Sequence, residues 1–254
     1  MKKVYKHDLL AYDRLKILQK DNLFKFSIDA LLLGDFVKVN KRTKRIIDLG
    51  SGLGAVAFYL TLKTKALIYG VDIQKEVIEL ANKSTIINKL DNQVKFINDD
   101  IKNVYKNFET NSFDIVISNP PFYKTKNINN QNDNEALTIA RHEVLINLDD
   151  IFIATKRLLA NGGMFYFIHR VERLDEIIIK LHNNNFVVKR LKFVYTKPNK
   201  PAKMLLIEAR LNGSTGSLEI EEPLYIYNKN KEYTKEILDI FHLGDENYDK
   251  KTKL

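Results

Sequence analysis

Two stretches of the sequence carry chemically capable residues immediately after apolar runs. In ISNPPFYK (117–124), an Asn, two prolines and two aromatic residues follow the run FDIVIS. About 70 residues earlier, the glycine-rich stretch DLGSGLG (48–54) follows the run RIIDL. Glycines let the backbone approach a ligand and leave the first N–H groups of a following helix free to bind it. The two stretches therefore predict a site in which one holds a ligand and the other reacts with it.

The chemistry that suits the second stretch is activation of an aromatic amine, such as the exocyclic amine of adenine. Its lone pair is delocalised into the ring, so the nitrogen is a poor nucleophile. Two fixed acceptors, the Asn119 side-chain oxygen and the Pro120 carbonyl, would direct both N–H bonds and localise the lone pair. The prolines restrict the backbone. We expect Phe122 first, and Tyr123 second, to stack on a base swung out of its helix or loop.

The first stretch is predicted to bind a nucleoside through Gly50, Gly52 and Gly54. Asp72 ends the next apolar run about 20 residues later, where a carboxylate can accept both hydroxyls of a ribose. The pattern is G-x-G-x-G, which favours a nucleoside without a pyrophosphate. Tight strand–helix packing is the alternative role for the glycines, and helix capping is the alternative for Asp72.

A further acid is expected at the same edge, to accept from an adenine amino group. Asp100 is the candidate and the adjacent Asp99 is the alternative, while a helix N-cap explains either one almost as well.

The elements that must position these residues alternate between short apolar strands and helices of three- and four-residue period. Such alternation predicts a parallel sheet covered on both faces. The last two strands, 187–196 and 204–211, are joined too closely for a crossover helix and must be antiparallel. The predicted fold is α/β, a doubly wound, mostly parallel seven-stranded sheet with a C-terminal antiparallel hairpin. A helix with a Gly stop is expected over 150–163.

Three regions are predicted along the chain. Residues 1–27 form an N-terminal hairpin or cap, with the hairpin placed within 15–27. Residues 28–213 form the catalytic domain. Residues 214–254 form an extension with a basic tail, packed on the sheet edge.

The composition limits partners and cofactors. The net charge of +9 favours a polyanion such as nucleic acid, although an AT-rich coding sequence would also supply lysines. The absence of cysteine excludes disulfides and Cys-based metal sites, and the five histidines have no ligand spacing, so no metal is expected. We find neither a signal peptide nor an apolar run long enough to span a membrane, which predicts a cytoplasmic protein.

The motifs DLGSGLG, VDI, NDDI and NPPFY, in this order and spacing, resemble those of class I S-adenosylmethionine-dependent methyltransferases that methylate amines. FKFSIDALLLGDF is similar to the extra N-terminal motif of that group, which lines the methionine end of the cofactor. The resemblance implies a Rossmann-like fold with S-adenosylmethionine as cofactor. The cofactor-binding residues that it implies are Phe26, Asp48, Gly50, Gly52, Gly54, Asp72, Ile73, Asp100 and Asn119.

A narrower resemblance covers roughly residues 8–240. The chain resembles the bacterial tRNA methyltransferases that modify the adenine amine just 3′ of the anticodon in valine tRNA. The segments that carry this resemblance are LKILQ, NPPFYK, ARHE (140–143), LLANGGMFYFIHRVERLDEII, KPNKPAKMLLIEA and PLYIY. It implies that Asn119, Pro120 and Phe122 are catalytic, that tRNA is the partner and that no strong base is needed. His142 by itself is typical of a surface or structural histidine; the resemblance implies the alternative that it helps to anchor a loop, together with Arg141 and Glu143. A monomer is expected.

Basic side chains suggest where RNA binds. Loops leaving the carboxyl ends of parallel strands surround the active site. Two such loops carry the predicted RNA-binding residues Lys124, Lys126, Lys197, Lys200 and Lys203. A second basic cluster enters the first strand of the sheet from its other end and should matter less; it includes Lys41, Arg42, Lys44 and Arg45. The alternative is that all of these residues only aid solubility.

Three other functions compete with adenine methylation. A protein methyltransferase acting on glutamine amides would use the same motif, but that family has a helical domain before the sheet, where this sequence has about 25 residues. A ribosomal RNA methyltransferase would act on guanine. A non-catalytic RNA-binding scaffold would not need the glycines, Asp72 and Asn119 intact.

Overall fold

The computed structural model describes residues 3–11, 13–21, 23, 26–120, 122 and 147–248. The strands are β1 (Val4–Asp8), β2 (Lys16–Lys20), β3 (Arg45–Leu49), β4 (Leu67–Asp72), β5 (Val94–Asn98), β6 (Phe113–Ser118), β7 (Leu159–Arg170), β8 (Phe186–Tyr195), β9 (Ala202–Leu211), β10 (Glu219–Ile220) and β11 (Leu224–Tyr225). The helices are α1 (Ile28–Phe36), α2 (Ala55–Leu60), α3 (Lys75–Ile87), α4 (Leu148–Leu158), α5 (Leu174–Asn183) and α6 (Lys235–Phe241).

The central sheet has the strand order β10-β8-β9-β7-β6-β3-β4-β5, with β11 also paired to β8. Strands β5, β4, β3, β6 and β7 are parallel, and β9 is antiparallel to both of its neighbours. The predicted doubly wound sheet with a closing hairpin is confirmed. Two short strands of the C-terminal extension bring the described total to nine.

Helices cover both faces of the sheet because its strands are apolar on both sides. On one face α1, α2, α3 and α6 bury a continuous core with the sheet. On the other face α4 and α5 pack over a second core that includes several phenylalanines from the strands. Within the described ranges, no helix is long and apolar enough to cross a membrane.

Two local predictions were wrong. The N-terminal hairpin pairs β1 with β2, so its first strand lies upstream of the predicted segment 15–27. It packs on α3, where the Leu18 N–H donates to the Ser84 hydroxyl at 2.9 Å. Helix α4 ends at Leu158 instead of at the glycines, because Leu159 is already extended and pairs with Phe113 as the start of β7.

A buried arginine joins the sheet, α1 and the C-terminal extension. The Arg190 guanidinium donates to Glu208 at 2.7 Å, to Glu221 at 2.5 Å and to the Phe36 carbonyl at 2.6 Å. It also lies 3.8 Å from the centre of the Phe36 ring. Its positive charge is therefore compensated by two carboxylates, as burial of a charged group requires.

The amino edge of the sheet is fixed by Asp114 at the start of β6. Its carboxylate accepts from the N–H groups of Lys44 at 2.7 Å and Arg45 at 3.0 Å. The basic cluster of residues 38–45 therefore lies at the edge opposite the carboxyl ends of the parallel strands. That leaves the carboxyl edge, where β3, β4, β5 and β6 all end, as the place for the predicted site.

Candidate active site

The glycine loop is held to the strands on both sides of β3. The Gly50 and Ser51 N–H groups donate to the Val71 carbonyl of β4 at 2.8 and 2.9 Å. On the other side, the Ser118 hydroxyl donates to the Leu49 carbonyl at 2.8 Å. Because Ser118 is the last residue of β6, this bond ties the loop to the strand that leads into Asn119.

Asp72 connects the loop to the segment before α3. One carboxylate oxygen accepts from the Gly52 N–H at 3.0 Å, and the other accepts from the Gln74 N–H at 2.9 Å. The Ile73 N–H is a third backbone donor beside this carboxylate. Because a carboxylate offers about four acceptor positions, some acceptor capacity remains. Burial raises the pKa of Asp72, while the N–H groups of Gln74 and Gly52 act in the opposite direction. The side chain thus braces the loop and still has acceptors for another ligand.

Asp48 is a buried carboxylate at the end of β3. Neither of its oxygens has a hydrogen-bond partner among the described residues. Burial, with a contribution from the Asp72 charge, raises the pKa of Asp48 to about 7. An uncompensated buried carboxylate is costly, so this group favours a donor or a cation supplied from outside the chain.

The three glycines of the loop differ in what surrounds them. All have positive φ angles, 76° at Gly50, 53° at Gly52 and 85° at Gly54. A Cβ on Gly52 would meet nothing within 4 Å, whereas a Cβ on Gly54 would lie 2.2 Å from the Phe96 ring. Gly52 therefore borders open space and is suited to a ligand, while Gly54 is needed for packing, the alternative raised from the sequence.

The acids after β5 are engaged unequally. Asp99 accepts from the Asp100 N–H at 2.8 Å and also from the Asn107 side chain, so both of its oxygens are used within the loop. Asp100 accepts from the Lys102 N–H at 2.9 Å through one oxygen, and its other oxygen is 3.8 Å from the Lys102 ammonium. Asp100 is thus the more available acceptor.

Nearby, Ile73 exposes 40% of its surface beside Asp72, an apolar face for a flat ring.

The predicted catalytic turn follows β6, beside the glycine loop. Asn119 is half-buried and Pro120 is buried. The Phe122 ring is half-buried and packs against the core, with its centre 5.5 Å from the centre of the His169 ring and its plane inclined by 72°. Tyr123, Lys124, Lys126, Arg141, His142 and Glu143 lie outside the described residues.

Four polar residues near this edge were not proposed as site residues from the sequence. They are Ser27, Asp29, His169 and Arg170. Before α1, the Ser27 hydroxyl donates to Asp29 at 3.0 Å. Burial raises the pKa of Asp29, and the positive charges of Lys203 and Arg170 oppose that rise. His169 ends β7 together with Arg170. The signal that could have found Asp29 is an acid in the otherwise apolar segment IDALLL; Phe26, which was proposed, packs against the core close by.

The loop after β8, which carries Lys197 and Lys200, lies at the same edge as the turn because β8 runs parallel to β7. Lys203 was predicted in this loop but is the second residue of β9, because the pairing with β8 begins at Ala202. Lys200 and Lys203 are exposed, and Lys197 is half-buried.

The unequal surroundings of the glycines predict unequal costs of substitution. Gly52→Ala and Gly54→Ala carry a similar backbone strain, but only Gly54→Ala forces a methyl group into Phe96. We expect Gly54→Ala to lose about 1–3 kcal/mol more folding free energy than Gly52→Ala in urea unfolding. Equal losses would show that Phe96 moves aside freely and that packing does not require Gly54.

Comparison with known proteins identifies the family of the chain. A family model described as a methyltransferase domain matches residues 40–240. Two relatives carry the name tRNA1(Val) (adenine(37)-N6)-methyltransferase. The one from Parabacteroides distasonis is 26% identical, covering 79% of this chain and 85% of its own. The one from Tolumonas auensis is also 26% identical, covering 94% and 95%.

Solved structures share the fold. A predicted O-methyltransferase from Agrobacterium tumefaciens superposes with a TM-score of 0.66 at 22% identity, covering 85% of this chain and 96% of its own. Geranyl diphosphate C-methyltransferase from Streptomyces coelicolor A3(2), in complex with S-adenosyl-L-homocysteine, gives a TM-score of 0.55 at 13% identity, covering 72% and 76%. The chain therefore belongs to the methyltransferase domain family and is a class I S-adenosylmethionine-dependent methyltransferase.

Proposed function

We propose that the protein transfers the methyl group of S-adenosylmethionine to the exocyclic amine of an adenine in tRNA, the adenine just 3′ of the anticodon in valine tRNA. One observation carries the proposal. An amide oxygen and a backbone carbonyl, at Asn119 and Pro120, follow the strand that pairs directly with the strand leading into the glycine loop. Two acceptors beside a nucleoside site suit an amine as the group to be methylated. The names of the two relatives, each 26% identical, support adenine in tRNA.

The described residues fit the cofactor, which supplies an electrophilic methyl group. Asp72 would accept hydrogen bonds from the ribose hydroxyls with its remaining acceptor capacity, and the loop at Gly52 would approach the ligand closely. Ile73 would hold the adenine of the cofactor by apolar contact. Asp100 would accept a hydrogen bond from the amino group of that adenine. Asp48 would accept from a donor of the cofactor, which would relieve the cost of its burial. Phe26 would lie at the methionine end.

The residues of the turn would then activate the acceptor amine. Asn119 Oδ1 and the Pro120 carbonyl each accept one N–H of the amine, so the nitrogen lone pair is directed away from the ring and toward the methyl carbon. As the nitrogen–carbon bond forms, the carbon–sulfur bond breaks and S-adenosylhomocysteine leaves. The methylated nitrogen loses a proton to water, because the amine becomes acidic once it carries a fourth bond. Phe122, with Tyr123, would stack on the base.

The tRNA would approach along the carboxyl edge, where the phosphates that flank the target base meet the loop after β8. Lys197 and Lys200 are the preferred candidates for phosphate contacts, because the positive charge of Lys203 interacts with the Asp29 carboxylate. Lys124 and Lys126, which follow the catalytic turn in the sequence, are proposed as further phosphate contacts.

The proposal is tested by incubating the protein with total tRNA and isotopically labelled S-adenosylmethionine, followed by nucleoside analysis. We expect label in N6-methyladenosine. Asn119→Ala should lower kcat by about 10²–10³, the usual effect of removing one preorganised polar contact. Asn119→Asp keeps an acceptor oxygen and should retain far more activity. Label in guanine, or only in glutamine of an added protein fraction, would contradict the proposal.

The direction of RNA approach is tested by reversing charges at the two edges of the sheet. The double variant Lys197→Glu, Lys200→Glu should weaken tRNA binding and reduce its salt slope by about two, because about one phosphate contact is lost per lysine. Lys41→Glu, Arg42→Glu makes the same charge change at the amino edge and is the matched control. A larger loss of affinity in the control pair would place the RNA on the other side of the sheet.

A further inference from the structure

His169 is a buried histidine beside the catalytic turn. It is the penultimate residue of β7, which pairs with β6 so that Phe167 faces Ser118, the residue before Asn119. Its side chain has no exposed surface, and the Phe122 ring covers it at 5.5 Å. A polar ring therefore lies directly behind the aromatic residue that is proposed to stack on the base.

The hydrogen bonds of the ring determine where its proton lies. His169 Nδ1 accepts from the Arg170 N–H at 2.8 Å. The neutral ring must then carry its proton on Nε2, since a protonated Nδ1 could not accept. Burial, and next the charge of Arg173, lower the pKa of His169 to about 4, which keeps the ring neutral at physiological pH. His169 Nε2 is thus a fixed hydrogen-bond donor.

That donor is unused in the described part of the chain. Nε2 is buried and has no hydrogen-bond partner there. Buried polar groups are nearly always paired, so a specific exception beside a reaction site calls for an explanation. An acceptor that arrives with the substrate would explain it, because the bond would form only in the complex.

Adenine provides such an acceptor next to the reacting amine. Its ring nitrogens N1 and N7 both flank the exocyclic amine, and both accept hydrogen bonds. Two acceptors for the amine, at Asn119 and Pro120, together with one donor for a ring nitrogen, complement adenine. Guanine carries a carbonyl in place of the amine and a proton on N1, so its O6 and N1 positions present the reverse pattern. Guanine N7 still accepts, so a contact at N7 leaves the discrimination to the two acceptors that face the amine.

We propose that His169 is a positioning and specificity residue of the methyl-acceptor site, whose Nε2–H donates to N1 or N7 of the target adenine once Phe122 moves from the imidazole onto the base. The inference rests on the proposed function, since it requires adenine as the substrate. The donor orients the base so that its amine faces Asn119 and Pro120.

The experiment removes the acceptor from the RNA. Three anticodon stem-loops are made, with adenine, 1-deazaadenine or 7-deazaadenine at the target position, and kcat/KM is measured for each with the wild-type protein and with His169→Leu. With wild-type protein, one of the two deaza substrates should be about 10- to 100-fold slower, the usual effect of one lost hydrogen bond. With His169→Leu, the penalty for that substrate should disappear.

A double-mutant cycle separates this role from a structural one. If His169→Leu only loosened the packing, it would slow all three substrates alike. The altered chemical reactivity of a deaza base would appear equally in wild-type protein and in the variant. Only a direct contact between His169 and the ring nitrogen therefore couples the two changes. His169→Gln retains an N–H donor and should restore part of the discrimination.

Two results would overturn the proposal. If both deaza substrates react with wild-type protein at nearly the rate of adenine, no donor contacts the ring nitrogens. This measurement uses only wild-type protein, so it does not depend on whether His169→Leu folds. If the penalty is the same in wild-type protein and in His169→Leu, the contact is not made by His169. In either case, methylation of the unmodified adenine would leave the proposed function intact, whereas no methylation of adenine in any RNA would refute both.

Discussion

The contact between Asp72 and the glycine loop is the constraint on which the site depends. One carboxylate fixes two backbone segments, the loop at Gly52 and the approach to α3 at Gln74, while it stays almost fully buried. Such a group is stable only if its oxygens are well supplied with donors. The chain supplies backbone donors from Gly52, Ile73 and Gln74. A carboxylate accepts about four hydrogen bonds, so the group that shapes the loop is also the proposed acceptor for a ribose.

The rest of the site follows from strand order. Because β3 lies between β4 and β6, the glycine loop has Asp72 on one side and the Asn119 turn on the other. Because β7 lies next to β6, His169 stands behind Phe122. The antiparallel pair β8 and β9 then brings a lysine-bearing loop to the same edge. The shared direction of β3, β4, β6, β7 and β8 thus brings the proposed cofactor residues, the proposed catalytic turn and the proposed RNA contacts to one edge.

The sequence predicts those parts of the structure that depend on local pattern. Apolar runs, the glycine loop and the short β8–β9 connection determine the sheet, and Asp72 and Asn119 lie at strand ends as expected. Features that depend on tertiary contacts escaped prediction. The end of α4 is set by the pairing of Leu159 with Phe113 rather than by the glycines. Gly54 is required by Phe96, 42 positions away. The environments of Asp29 and His169 arise from elements distant in sequence.

The most direct test of the account is the affinity of S-adenosylmethionine for the Asp72→Ala variant, measured by calorimetry beside the wild-type protein. If Asp72 both braces the loop and accepts from the ribose, the variant should bind the cofactor about 1.5–3 kcal/mol more weakly, the range for hydrogen bonds to a charged group. Asp91→Ala, which removes an exposed acid in the turn before β5, is the matched control and should bind nearly as tightly as the wild-type protein. Unchanged affinity in Asp72→Ala would contradict the account and reduce Asp72 to a residue of the turn before α3.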